Sequence, residues 1–180
     1  MGWTATGAGI TIVGVIVILL AVHAGAGTSA STTGTPASPP SSLAPAIDGI
    51  TCQEEMVQTH FHAHLTLIDN GQTVALPGGI GIRQSAGCLY WLHTHAADGI
   101  IHIESPVQRA FTLGEFFDVW GQSLSRTQVG PASGNVTALV DGKVWLGDPR
   151  DIPLKAHRQI QLEVGTPLVA QLRIKNWHDL

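Results

Sequence analysis

The strict alternation of apolar residues with histidine constrains the fold of this chain most strongly. From residue 60 to residue 67 the odd positions are apolar and the even positions are histidine or threonine. Successive side chains of a β-strand point to opposite faces of a sheet, so this pattern predicts a half-buried strand. The Asn70-Gly71 pair that follows suits a type I′ turn, and residues 73–76 can return as its hairpin partner.

The rest of the C-terminal region predicts more strands and one helix. Thr112 can cap the helix and Glu115 completes a capping box, while Phe111 can staple to Phe116 across the cap. The inner face of this helix is predicted to carry Leu113, Phe116, Phe117, Trp120 and Leu124. A second hairpin is predicted from residues 136–140 and 143–146, joined by the Asp141-Gly142 turn. Further strand candidates are residues 89–95, 100–104, 158–164 and 168–174. The predicted fold is mainly β, a small sandwich or barrel with one helix.

An apolar segment precedes this domain. Residues 8–26 contain one ionisable group, His23, and are close to the ~20 residues that a membrane-spanning helix needs. A cleaved signal peptide is the alternative, because the strongest apolar run covers only residues 10–22 and small residues follow it. We expect residues 1–26 to be a single transmembrane anchor or uncleaved signal. Residues 27–46 are rich in Ser, Thr and Pro and are expected to form a tether, followed by a domain at 47–180.

The two cysteines, Cys52 and Cys88, are expected to form a disulfide in an oxidising compartment. This places the domain in the periplasm or the extracellular space. Two alternatives are a pair of buried free thiols and a copper site in which both cysteines join Met56 as soft ligands.

Charge excludes two classes of partner. The chain has nine Lys and Arg against thirteen Asp and Glu, and its first basic residue is Arg83. We therefore expect neither a nucleic-acid-binding surface nor a polybasic segment that binds anionic lipid.

The histidines indicate a metal site. Two His-x-His pairs on neighbouring strands can converge on one ion, and imidazole suits Cu or Zn, with Fe, Mn or Ni possible when a carboxylate joins. The alternatives are a pH-responsive surface and an ordinary polar face. The six candidate ligands are His60, His62, His64, His93, His95 and His102.

Two acidic residues near the second cluster, Asp98 and Glu104, are candidates for a further ligand or for a partner that fixes an imidazole tautomer. Three histidines on one strand are more than one ion needs. His60 or His64 is therefore expected to lie outside the site or to reach a second ion.

The His93-x-His95 pair followed by an acidic residue resembles the first motif of cupins, which are small β-barrels that bind a metal through histidines and a glutamate. Glu104 lies nine positions after His95, farther than in cupins, and His157 lacks the frame of the second cupin motif. The stretch LHTHAADGIIHIESP is also similar to an uncharacterised group of exported, anchored bacterial and archaeal domains. That resemblance covers residues 50–165 and implies no established activity.

These features predict a membrane-anchored domain that acts by binding a metal or as an accessory subunit of a membrane complex of respiratory or photosynthetic type. A cupin-like metalloenzyme is the alternative. The sequence contains no nucleophile elbow or phosphate-binding loop that would point to another enzyme class.

Overall fold

The computed structural model of the chain describes residues 44–55, 57–175 and 177. The predicted anchor at 1–26 and residues 27–43 of the predicted tether lie outside this part of the chain. Residues 44–46, also predicted as tether, instead belong to a strand. Among the described residues, no helix combines the length and the apolar character needed to cross a membrane.

The described part of the chain is mainly β, as predicted, with one α-helix, α1 (Leu113–Trp120), and two short 3-10 turns (Gln84–Ala86 and Pro149–Asp151). The strands are β1 (Ala44–Ile47), β2 (Ile50–Gln53), β3 (Thr59–Asp69), β4 (Gln72–Val74), β5 (Ile82–Arg83), β6 (Cys88–Tyr90), β7 (Leu92–His93), β8 (Ile100–Ser105), β9 (Phe111–Thr112), β10 (Leu124–Ser125), β11 (Gln128–Val129), β12 (Ala132–Ser133), β13 (Val136–Val140), β14 (Lys143–Trp145), β15 (Pro153–Leu154) and β16 (Gln159–Val164).

The largest sheet has seven strands and forms a half-barrel. Its order is β14-β13-β16-β3-β8-β7, and β4 pairs with the end of β3. Strands β3 and β16 run parallel, whereas the other pairs of this sheet are antiparallel. Smaller sheets are formed by β1-β2-β6-β5, by β10-β11-β12 and by β15-β9.

Two predicted hairpins are confirmed. Strands β3 and β4 are joined by Asn70 and Gly71, with φ of 46° and 78°, and β13 and β14 by Asp141 and Gly142, with φ of 52° and 88°. A type I′ turn needs positive φ at both central residues, which Asn, Asp and Gly tolerate best.

The predicted helix is also confirmed, together with its capping box. The Glu115 backbone N–H donates to Thr112 Oγ1, and the Thr112 backbone N–H donates to Glu115 Oε2 over 2.8 Å. Phe116 and Phe117 are fully buried in the core that also contains Leu65 on the apolar face of β3. Of the predicted inner face, Trp120 is only partly buried, and Leu124 lies beyond the helix in β10.

Residues 168–174 do not form the predicted strand. Strand β16 already has β13 on one edge and β3 on the other, so neither edge can accept another strand. The segment instead binds side chains on one face of β16: the Val169 N–H donates to Glu163 Oε2 and the Leu172 N–H to Gln161 Oε1, both over 2.8 Å. Residues 62–68 of β3, the strand beside β16, are buried on both faces rather than on one.

Candidate metal centre

The register of three neighbouring strands aligns three histidines across the sheet. Strand β8 lies between β3 and β7, and His102 on β8 is the direct partner of His62 on one side and of His93 on the other. Direct cross-strand partners point to the same face with Cβ atoms about 4.5–5.5 Å apart. The three imidazoles therefore meet on one face.

Glu104 joins them because it lies two residues after His102 on the same strand. It is the direct cross-strand partner of His60, so its carboxylate projects from the same face as the histidines. His95 reaches the cluster from the segment after β7, with its Nε2 3.2 Å from Nε2 of His93.

The ring nitrogens are spaced as metal ligands would be. Nε2 of His62 lies 3.2 Å from Nε2 of His60 and 3.0 Å from Nδ1 of His102. Glu104 Oε1 lies 3.3 Å from His60 Nε2 and 3.4 Å from His102 Nδ1. Bonds of about 2.0–2.1 Å at tetrahedral angles put ligand atoms roughly 3.3 Å apart.

The donor atoms fall into two groups of four, and within each group all atoms lie within 4.8 Å of one another. The groups share His102 and Glu104. The first group is His60, His62, His102 and Glu104, and the second is His93, His95, His102 and Glu104.

Burial keeps the inner imidazoles neutral. It is the main cause that lowers the pKa of His93 to about 4 and that of His102 to about 3, and neighbouring histidines lower both further. The pKa of His62 is lowered for the same reasons. A neutral imidazole offers a lone pair to a cation, which is the form that metal binding requires.

The orientation of His93 is fixed by the backbone. Its side chain is fully buried, and its Nδ1–H donates to the carbonyl oxygen of Tyr90 over 2.9 Å. Because Nδ1 carries the proton in this contact, the lone pair of Nε2 faces the cluster. Such an outer hydrogen bond commonly orients a metal-ligating histidine.

Glu104 is the residue whose environment most favours a bound cation. Its side chain is only 5% exposed, and Oε2 has no hydrogen-bond partner among the described residues. Burial, followed by the nearby Glu55 carboxylate, raises the pKa of Glu104 to about 7. A buried carboxylate oxygen without a donor is costly, and a divalent ion would supply the missing charge. The residues present thus fit a metal ion.

Two predicted site residues lie elsewhere. The Nε2–H of His64 donates to the carbonyl oxygen of Asp98 over 3.1 Å, and His64 belongs to neither group of donors. The Asp98 carboxylate accepts the Ile100 N–H within the turn before β8. Asp98 therefore supports His64 and the turn, and the structure does not bring it into the cluster.

Glu55 is a site residue that the sequence did not single out. Its charge lies close enough to raise the pKa of Glu104 and to act on that of His93. It follows β2, which is linked to β6 by the predicted disulfide between Cys52 and Cys88, with Cα atoms 5.4 Å apart. This disulfide rules out free thiols and cysteine ligands, and no spacing in the sequence predicts that this loop reaches the histidines.

Comparison with models of known protein families, with curated proteins and with solved structures gave no match to this chain.

Proposed function

We propose that this chain is a membrane-anchored, extracytoplasmic protein whose β domain binds a divalent transition metal, most suitably Cu or Zn. The observation that carries the proposal is the convergence of five histidines on Glu104, a buried carboxylate with an unpartnered oxygen. A nitrogen-rich donor set with one carboxylate also accepts Fe, Mn or Ni.

The proposed location rests on two features. The apolar run at residues 8–26 has the length of a membrane helix, and the Cys52–Cys88 disulfide is typical of proteins outside the cytoplasm. We propose that the domain acts by metal binding, or as an accessory subunit of a membrane complex of respiratory or photosynthetic type.

A cupin-like metalloenzyme is the second candidate, favoured by Glu55. The charge of this exposed carboxylate acts on the pKa values of both Glu104 and His93, so it lies close enough to the cluster to exchange a proton with a molecule bound there.

The test is metal content measured by mass spectrometry on the full chain, purified in detergent without a His-tag from cells that export it. We expect near-stoichiometric metal in the wild type and its loss when His62 and His93 are both replaced by alanine. His64→Gln is the matched control, because His64 lies on the same strand and face as His62 but outside both donor groups. Metal-free wild type, or equal retention in all variants, would reject the site.

A further inference from the structure

The cluster contains more donors than one ion of this kind takes. Structural zinc sites are almost always four-coordinate, whereas five histidines and Glu104 converge here. The pair His60 and His62 belongs to one group of four donor atoms, and the pair His93 and His95 belongs to the other.

The two oxygens of Glu104 face different groups. Oε1 lies 3.3 Å from His60 Nε2 and 3.4 Å from His102 Nδ1, whereas Oε2 lies 3.8 Å from His93 Nε2. A carboxylate in this position can give one oxygen to each of two ions. In known two-metal sites the ions lie roughly 3.5–4 Å apart, a separation that a bridging carboxylate spans.

The distances place His102 in the first group. Its Nδ1 is 3.0 Å from His62 Nε2, closer than any other contact in the cluster, and it also faces Oε1 of Glu104. The first group then has four donors, namely His60, His62, His102 and Oε1. The second keeps three, namely His93, His95 and Oε2.

We propose, on the basis of the metal-binding function above, that the cluster holds two divalent ions bridged by Glu104. The first ion is coordinated by four side chains and the second by three. A site with three protein ligands leaves a position for water or a small exogenous ligand, which is the arrangement of catalytic rather than structural zinc sites.

The experiment counts ions on the full chain in detergent, stripped with EDTA and then equilibrated with Zn(II). Native mass spectrometry should show two zinc ions in the wild type and one in His95→Ala. His95 is exposed, so its removal should leave the fold intact, and unfolding of the metal-free variant checks this. His64→Gln should keep both ions.

Loading with Cu(II) gives a second readout. Two bridged Cu(II) ions should couple magnetically, so the wild type should show less than two spins per chain by electron paramagnetic resonance, and His95→Ala should show one. A single zinc ion in the wild type that His95→Ala retains would overturn the two-ion proposal and leave the metal-binding function standing. No zinc in the wild type would instead reject the function itself.

Discussion

The carboxylates of Glu104 and Glu163 project from the same face of the same sheet, but only that of Glu163 has both oxygens hydrogen-bonded. Gln161 Nε2 donates to Glu163 Oε1 over 2.9 Å, and the Val169 N–H donates to Oε2 over 2.8 Å. Oε2 of Glu104 has no such donor among the described residues. The Glu163 carboxylate therefore stabilises the fold, whereas Oε2 of Glu104 is available to bind a ligand.

This contrast predicts opposite effects of the same substitution in metal-free protein. Glu163→Gln should lower the free energy of unfolding by about 1–3 kcal/mol, because it weakens two hydrogen bonds to a charged group. Glu104→Gln should leave stability at pH 8 unchanged or raise it, since it removes a desolvated charge. Urea unfolding of the EDTA-treated chain measures both. Equal destabilisation by the two substitutions would contradict the distinction.

The histidines of the cluster predict that metal-free protein loses stability in acid. His93 has a folded pKa of about 4, below its ordinary value of 6.5, so the unfolded chain binds the extra proton between these pH values. Stability should therefore fall as pH falls from about 6.5 to 4, by up to about 3 kcal/mol for this residue. His62 and His102 act in the same direction.

Glu104 opposes this trend. Its folded pKa is raised to about 7, so its destabilising effect is complete above that pH and disappears as pH falls toward 4.5. Three histidines outweigh one carboxylate, and the net slope should favour neutral pH. Thermal unfolding of EDTA-treated protein from pH 4 to pH 8 measures the slope, and His93→Gln should reduce it. A flat profile would show that these groups are not desolvated.

The sequence predicted the local elements of the fold well because their signals are local. Alternation, the Asn70-Gly71 turn and the Thr112 capping box each lie within a few residues, and the strand, the turn and the capped helix all form, although the strand is buried on both faces. The failure at residues 168–174 has a different cause. That segment looks like a strand, but pairing depends on whether an edge is available, and β16 has none.

The sequence predicted only the part of the site that follows from the alternation of side chains along a single strand. The alternation correctly put His60 and His62 on one face. The cross-strand register, which no local sequence pattern encodes, decides that Glu104 rather than Asp98 lies beside them. The same limit explains why Glu55 was missed. Its position depends on how the β2 sheet lies beside β8.

Gly99 is predicted to be essential for the turn that holds His64. It has φ of +83°, and an added Cβ would lie 2.6 Å from His64 Nε2 and 2.7 Å from the carbonyl oxygen of Leu65. Gly99→Ala should therefore combine backbone strain with a clash and lower the free energy of unfolding by about 2–4 kcal/mol. Gly79→Ala is the matched control, because Gly79 has φ of +78° and no atom within 4 Å of the added Cβ.

Gly79→Ala should lower the free energy of unfolding only by the cost of the backbone strain, about 1 kcal/mol. Urea unfolding compares the two variants. If both lose the same stability, the close approach of Gly99 to His64 contributes nothing to the turn.

The disulfide is predicted to stabilise the fold without contributing a ligand. Cys52 and Cys88 are separated by 36 residues, so replacing both with serine should lower the free energy of unfolding by about 4 kcal/mol in the chain-entropy model. Reductant should lower the stability of the wild type by a similar amount and leave the double variant unchanged, which separates loss of the bond from the effect of serine.

Under conditions where the double serine variant remains folded, its zinc content should equal that of the wild type. All donors of the cluster lie on β3, β7, β8 and the segment after β7, and none lies on β2 or β6. Loss of zinc from the folded variant would mean that the loop after β2, which carries Glu55, helps to hold the metal.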